Sequence, residues 1–165
     1  MSRASFAIAY DGSALREGSM DVRDLAPSFL AVGQLFDAAN TVLNHDAALV
    51  KISVTATGVG LFEIIFQVVQ HLPAQITAMF SGESIVAAVN LKEFIVGGTI
   101  SLIWLIKKLK GKKPDRIERV SDSHARIVIG GEEFTVPLQL MRLYQDIAVR
   151  TAAQRMIADP LIPSL

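Results

Sequence analysis

The sequence SIVAAVNLKEFIVGGTISLIWLIKKLKGKKP, from Ser84 to Pro114, decides how the rest of this chain must fold. It contains an uncharged run from Phe94 to Ile106, followed by a cluster of five lysines. Burial of apolar surface is the main favourable term in folding and in association, so this run must be covered. The cover is the protein's own core, a partner molecule or a membrane, and that choice determines the functional class.

Apolar side chains recur in this segment at alternating spacings of four and three, the pattern of a helix that packs against another helix. We predict one long apolar helix, in which Gly97 and Gly98 permit close backbone approach or a kink. A chain that is both apolar and neutral tends to associate, so we expect a homo-oligomer or a complex with a protein partner. The predicted interface residues are Leu91, Ile95, Gly98, Leu102, Trp104, Leu105 and Leu109.

A membrane is the alternative cover for this segment. A spanning helix needs about twenty apolar residues, and the run from Phe94 to Ile106 is too short alone. Extension back to Ser84 brings in the central charges of Lys92 and Glu93, each costing about 2.5–3.5 kcal/mol on insertion scales. A membrane-acting effector that inserts the helix from Ser84 to Lys113 is therefore the second hypothesis. Its contacts with an anionic surface would come from Lys107, Lys108, Lys110, Lys112 and Lys113.

The sequence before this segment predicts a strand, a helix and a hairpin. Alternation predicts strands over residues 4–10, 48–57 and 61–70, with Gly58-Val59-Gly60 as the hairpin loop. Helical spacing begins at Leu25, with Asp24 as its N-cap, and Asn44 ends it. Residues 61–70 are apolar on both faces, which predicts a strand covered on both sides. The side chains expected in the core are Phe29, Phe36, Ile52, Val54, Ile64 and Phe66.

The sequence between and after these elements predicts further helices and a β-meander. A short helix is expected over residues 73–80, and three strands over residues 116–136, with Gly130-Gly131 as a hairpin turn. Pro137 opens a helix at its first position, Asp146 starts another that runs to about Ala158, and Pro160 and Pro163 end regular structure. This order predicts an α+β fold rather than a doubly wound parallel sheet. A boundary near Gly111 would separate a unit of residues 1–111 from a smaller, packed unit of residues 112–165.

Composition excludes several classes of protein. Hydrophobic residues make up 51% of the chain and charged residues 19%, which excludes a disordered chain. The net charge of zero, with only Trp104 near the lysines, makes nucleic acid an unexpected partner. The absence of cysteine excludes a disulfide scaffold, and the N-terminus lacks the apolar run of a signal peptide. We expect a cytoplasmic protein, with a peripheral position at the inner membrane as the alternative.

The sequence contains no recognisable catalytic, metal or cofactor motif. A hydrolase-like enzyme using Asp21, Asp24, His45 and Asp46 is the weakest hypothesis, because no nucleophile or metal-ligand set accompanies them. Helix capping and the helix dipole explain these residues without chemistry. We therefore expect no catalytic residue, no metal and no cofactor.

Four stretches resemble a family of uncharacterised bacterial and prophage-encoded proteins. They are YDGSALREGSMDVRDLAPSFLAVGQLFDAANTVLN, FEIIFQVVQ, GGTISLIWLIKKLKGKKP and VPLQLMRLYQDIAVR, and the resemblance runs over nearly the whole chain. The resemblance implies no reaction, ligand or active site. Members of the family have a more amphipathic helix at residues 100–109 and continue beyond a stretch like residues 157–161. This implies that the present chain is a short or truncated member.

Overall fold

The computed structural model describes residues 2–11, 22–57, 63–71, 86–97, 100–158 and 162–164. Helices and antiparallel strands are both present in these ranges, which confirms the α+β prediction. The strands are β1 (Ser2–Asp11), β2 (Leu49–Thr57), β3 (Glu63–His71), β4 (Arg116–Arg119), β5 (His124–Ile129), β6 (Glu132–Pro137) and β7 (Ile162–Ser164). The helices are α1 (Val22–Asn44), α2 (Ala88–Ile95), α3 (Leu102–Leu109), α4 (Leu138–Gln145) and α5 (Ile147–Ala158), with a 3-10 turn at His45–Ala47.

The first sheet has the order β2-β3-β1-β7 and carries α1 on one face. Its inner side chains alternate as predicted, and Phe6 stacks on Phe66 of the neighbouring strand with ring centroids 5.3 Å apart. Phe36 of α1 stacks on the same Phe6 ring at 5.2 Å, and Phe29 meets Phe66 edge to face at 5.6 Å. Aromatic pairs at such separations add about 0.5–1.5 kcal/mol each beyond area burial. The first helix is therefore fixed to the sheet by a cluster of four rings.

Three of the six predicted core residues, Phe36, Ile64 and Phe66, are fully buried, and the structure corrects the others. Phe29 and Ile52 are half-buried, and Val54 is 45% exposed. For Ile52 and Val54 the reason is the position of β2 at the edge of the sheet, with a register shift directly after Val54. Sequence alternation gives the face of a residue but not whether its strand is central. The outward side chains of β3, such as Ile65 and Val69, are likewise half-buried rather than fully covered.

Three boundary predictions are wrong, and others fall on undescribed residues. The first helix begins at Val22, so Asp24 lies within its first turn instead of capping it. Pro163 lies in the short strand β7 rather than outside regular structure. That position is tolerated because β7 is an edge strand, where a missing N–H costs no ladder bond. Pro137 is the residue before α4 rather than its first residue. The loop predicted at residues 58–60 and the helix predicted at residues 73–80 lie outside the described ranges.

The predicted long apolar helix is wrong, because the segment forms two helices, α2 and α3. A Cβ on Gly97 would lie 2.6 Å from Oε2 and 3.0 Å from Cα of Glu93, so a larger residue at this position would crowd the last turn of α2. A new helix then starts after Ser101, which is extended and whose Oγ accepts a hydrogen bond from the N–H of Trp104 at 3.2 Å. The kink predicted near the glycine pair corresponds to the interruption between Ile95 and Leu102, and Gly98 itself lies outside the described residues.

The predicted β-meander is confirmed as a second sheet with the order β4-β5-β6. Gly130 and Gly131 have φ angles of 57° and 82°, as a two-residue hairpin turn requires. Helix α5 begins where Asp146 was expected to restart a helix, and Oδ1 of Asp146 accepts a hydrogen bond from the N–H of Val149 at 2.9 Å. Ala125, Ile127 and Val136 of this sheet belong to the same buried cluster as the first sheet, and β7 pairs with β1. The chain on either side of Gly111 thus shares one core.

A buried polar network fixes the chain as it enters α2. The side-chain amide of Asn44 holds both backbone groups of Val86: Oδ1 accepts from the N–H at 2.7 Å, and Nδ2 donates to the carbonyl at 2.9 Å. Gln70 donates to the same carbonyl at 2.7 Å, and Ser2 accepts from the N–H of Ala88 at 3.0 Å. Every buried side-chain polar atom in the described ranges has a partner. Asn44 therefore joins the end of α1 to the chain that enters α2. The sequence predicted only that Asn44 ends the helix, and not this second role.

Candidate functional site

The apolar residues predicted to form an interface lie in the core of this same chain. Five of them are 0–1% exposed in the single chain, so their burial requires no second molecule, and the structure corrects the interface role assigned to them. These residues are Leu91, Ile95, Leu102, Leu105 and Leu109. Trp104 is half-buried and meets Phe134 of β6 edge to face, with ring centroids 5.4 Å apart. Gly98 lies outside the described residues.

The membrane hypothesis predicts a helix that inserts. In the part of the chain that the structure describes, none of the helices is both long enough and apolar enough to cross a bilayer. The interruption between Ile95 and Leu102 divides the segment in which a spanning helix was considered.

The predicted lysines gather at the end of α3, and this is the candidate functional site. The apolar positions of α3 are buried, and the helical rotation places Lys107 and Lys108 on the exposed side. Lys110 ends the helix in the left-handed conformation, with φ 51° and ψ 38°, and its N–H donates to the carbonyl of Ile106 at 3.0 Å. Glycine is the usual residue at this position because it has no Cβ. A strained lysine therefore stands where glycine would be more stable.

The turn between β5 and β6 forms the other wall of the site. Gly130 donates its N–H to Oδ2 of Asp115 at 3.0 Å, which ties the turn to the chain leaving α3. Nζ of Lys108 lies 2.5 Å from Oε2 of Glu132 at the start of β6. The hydrogen bond and the positive charge of Lys108 lower the pKa of the Glu132 carboxyl below its ordinary value. Glu132 is thus held ionised against one lysine of the cluster.

These two walls enclose a groove, which we call the lysine groove. It has a volume of about 360 Å³, and its lining residues are Lys107, Lys108, Leu109, Lys110, Lys112, Ile129, Gly130 and Glu132. Four positive charges and one negative charge line the groove, which leaves a net charge of about +3. Lys107, Lys110 and Lys112 form no ion pair with any carboxylate in the described ranges. Lys113 follows directly but is not part of the lining.

The groove is suited to binding anions and lacks the groups needed for chemistry. Among the described residues, its lining contains no histidine, hydroxyl or thiol that could act as a nucleophile, and its lysines are exposed. Ammonium groups act as mobile point charges, so they attract carboxylates or phosphates without imposing a fixed geometry.

Of the four residues of the hydrolase hypothesis, only His45 has a side chain that the structure describes. Asp21 lies outside the described residues, and the side chains of Asp24 and Asp46 are not described. His45 is exposed, with a φ of 52° in the turn after α1. No group of three or more acidic or histidine side chains in the described ranges is placed to hold a metal ion.

One close serine–histidine contact was not predicted. Oγ of Ser123 lies 2.7 Å from Nδ1 of His124 in the turn between β4 and β5. Both residues are exposed, and Ser121 caps the same turn by accepting a hydrogen bond from the N–H of His124 at 3.1 Å. His124 contacts no carboxylate in the described part of the chain, so the third group of a hydrolytic triad is missing there. The contact is explained by the geometry of the turn.

Comparison with protein-family models, with curated proteins and with solved structures finds no match to this chain.

Proposed function

We propose that this protein is a non-enzymatic binding module that engages an anionic partner at the lysine groove. One observation carries the proposal: three of the four groove lysines have no intramolecular ion pair in the described ranges, although they line the same cavity. Like charges placed together repel one another, so a cluster without counter-charges is stabilised when a polyanion arrives.

From the sequence, partner binding was expected at the apolar helix. We now assign it to the lysine groove. The resemblance described above supports a place in a bacterial or phage-related system, and the absence of cysteine supports a cytoplasmic setting. Self-association stays a prediction of the apolar, neutral composition. If a homo-oligomer forms, its interface must use surfaces other than Leu102 and Leu105, which are already buried.

A peripheral contact with an anionic lipid surface is the second candidate. The clustered lysines favour it, because each lysine near such a surface contributes about 1 kcal/mol of binding free energy. Half-buried Trp104, on the same helix, supports it further. This form of the membrane hypothesis needs no inserted helix.

The experiment compares two variants with the same change in charge. The groove variant replaces Lys107, Lys110 and Lys112 with glutamine and leaves Lys108 to its ion pair. The control variant replaces Arg3, Lys51 and Arg155 with glutamine, and these three residues are exposed and lie outside the groove lining.

Binding is measured for poly-glutamate, inorganic pyrophosphate and phosphatidylserine vesicles, each at low and high NaCl. We expect the wild type and the control variant to bind at least one of these anions in a salt-sensitive manner, and the groove variant to lose that binding. Equal loss in both variants, or no binding of any anion by the wild type, would overturn the proposal. Pelleting with phosphatidylserine vesicles alone would establish the second candidate.

A further inference from the structure

The lysine groove already holds one carboxylate, and that carboxylate belongs to the protein itself. Oε2 of Glu132 lies 2.5 Å from Nζ of Lys108, and in the described part of the chain Glu132 is the only acidic residue that lines the groove. The side chain of Glu132 is 63% exposed, so little packing holds it in this position. An incoming anion can therefore take its place on Lys108.

The backbone donors of the groove are already in use. The N–H of Gly130 donates to Asp115, that of Lys110 to Ile106, and that of Lys112 to the carbonyl of Leu109 at 2.9 Å. Compact phosphate sites usually combine positive charge with several free backbone N–H groups, at a helix N-terminus or in an anion-binding nest. Here the nearest helix end is a C-terminus, whose carbonyls carry partial negative charge. The attraction must therefore come from separate side-chain ammonium groups.

Two apolar residues also line the groove: Leu109, which is 1% exposed, and Ile129, which is half-buried. They offer little apolar surface, so the four lysine side chains dominate what a ligand meets. A concave site in which four ammonium groups gather fits a chain of closely spaced carboxylates. A bilayer surface is broad and cannot enter a cavity of this size, whereas a few residues of peptide fill about 360 Å³.

We propose that the lysine groove binds an acidic segment of a partner protein, and that Glu132 competes with that segment for Lys108. This inference rests on the proposed function and names the partner class and its regulation. The partner segment contains several closely spaced Glu or Asp residues. Glu132 occupies the groove in the free protein, so it weakens binding and excludes partners that carry too few carboxylates.

The test uses Glu132→Gln with Glu133→Gln as its matched control. Both residues lie next to one another on β6 and are exposed, and both changes remove one negative charge, but only Glu132 lines the groove. A fluorescent octapeptide of alternating Glu and Leu is titrated by anisotropy, with a Gln/Leu peptide, pyrophosphate and phosphatidylserine vesicles as the other probes. Circular dichroism of each variant confirms that the fold is retained.

We expect the wild type to bind the Glu/Leu peptide in a salt-sensitive manner and not to bind the Gln/Leu peptide. In Glu132→Gln, the dissociation constant for the Glu/Leu peptide should fall by about five-fold, the effect of about one charge at an exposed site. Glu133→Gln should change the dissociation constant by less than about two-fold, because it removes a charge without freeing a lysine. Equal tightening in both variants would overturn the competitor role. If pyrophosphate or vesicles bind through the lysines and the Glu/Leu peptide does not, the inference fails while the proposed function stands. If none of the anions binds, both fail.

Discussion

We predict that Lys110 lowers the stability of the fold through its left-handed backbone conformation, while its side chain adds a positive charge to the lysine groove. Its φ of 51° places a side chain in the left-handed region, which costs an L-residue about 1–2 kcal/mol. The substitutions Lys110→Gly and Lys110→Ala remove the same charge, but only glycine relieves the strain. Glycine also gains about 0.5–1 kcal/mol of unfolded-state entropy, which offsets part of that relief. The glycine variant should therefore be more stable than the alanine variant by about 0.5–1 kcal/mol.

The matched control is the same pair of substitutions at Lys113, an exposed residue outside the left-handed region. There the order should reverse, because only the entropy of glycine remains and alanine becomes the more stable choice by about 0.5 kcal/mol. Urea unfolding followed by the fluorescence of Trp104 measures all four free energies of unfolding, with equal m-values as the check on comparability.

The same variants separate stability from binding. Both substitutions at Lys110 should weaken binding of the Glu/Leu peptide equally, by about five-fold, because binding depends on the charge and not on the backbone. If Lys110→Gly is no more stable than Lys110→Ala, the left-handed conformation carries no strain and the reasoning is refuted. If the two variants differ in peptide affinity, the groove depends on backbone geometry rather than on charge.

Four other perturbations test the fold. Asn44→Ala removes both hydrogen bonds to the backbone of Val86, just before α2, and should lower the free energy of unfolding in urea by about 2–4 kcal/mol. The control Asn90→Ala, at an exposed helical site, should change it by no more than about 0.5 kcal/mol. Phe36→Ala should cost about 3–5 kcal/mol, and a loss below about 1 kcal/mol would contradict its place in the core. Gly33→Ala, with open space around the added Cβ in α1, should raise the free energy of unfolding by about 0.5–1 kcal/mol. Lys108 lowers the pKa of Glu132 in the folded state, so the Lys108–Glu132 pair stabilises the fold above the unfolded-state pKa near 4.5 and loses this effect as the pH falls. Glu132→Gln should therefore make the stability depend less on pH at the acidic end of a stability–pH curve.

Local pattern was sufficient to predict the fold class and most elements. Period-two alternation predicts β1, β2 and β3, and the Gly130-Gly131 pair predicts the hairpin turn of the second sheet that the structure contains. Pattern did not predict which strand lies at an edge, so the exposure of Val54 was missed. It also missed β7, because a three-residue strand forms only through its pairing with β1. Position within a sheet depends on pairings distant in sequence, which local periodicity does not encode.

The candidate site was predictable only in part, for the same reason. The lysines are conspicuous in the sequence because they follow an apolar run directly. Their neighbours Ile129, Gly130 and Glu132 come from a hairpin about twenty residues later, and no local signal joins them to the end of α3. The sequence therefore predicts a basic cluster, whereas a groove containing its own carboxylate emerges only from the tertiary fold.

The structure also changes where in the long segment we look for function. The apolar run was expected to determine function, since its cover would be a core, a partner or a membrane. In the structure, Leu91, Ile95, Leu102, Leu105 and Leu109 lie in the core of the chain, and folding alone accounts for these apolar residues. The rotation of a helix by about 100° per residue then explains why Lys107 and Lys108 are exposed, but it does not require lysine at position 110. A glycine there would end the helix at a lower cost, so the charge at this strained position is the feature of the segment that folding leaves unexplained. The acidic partner that we propose for the lysine groove would supply that reason.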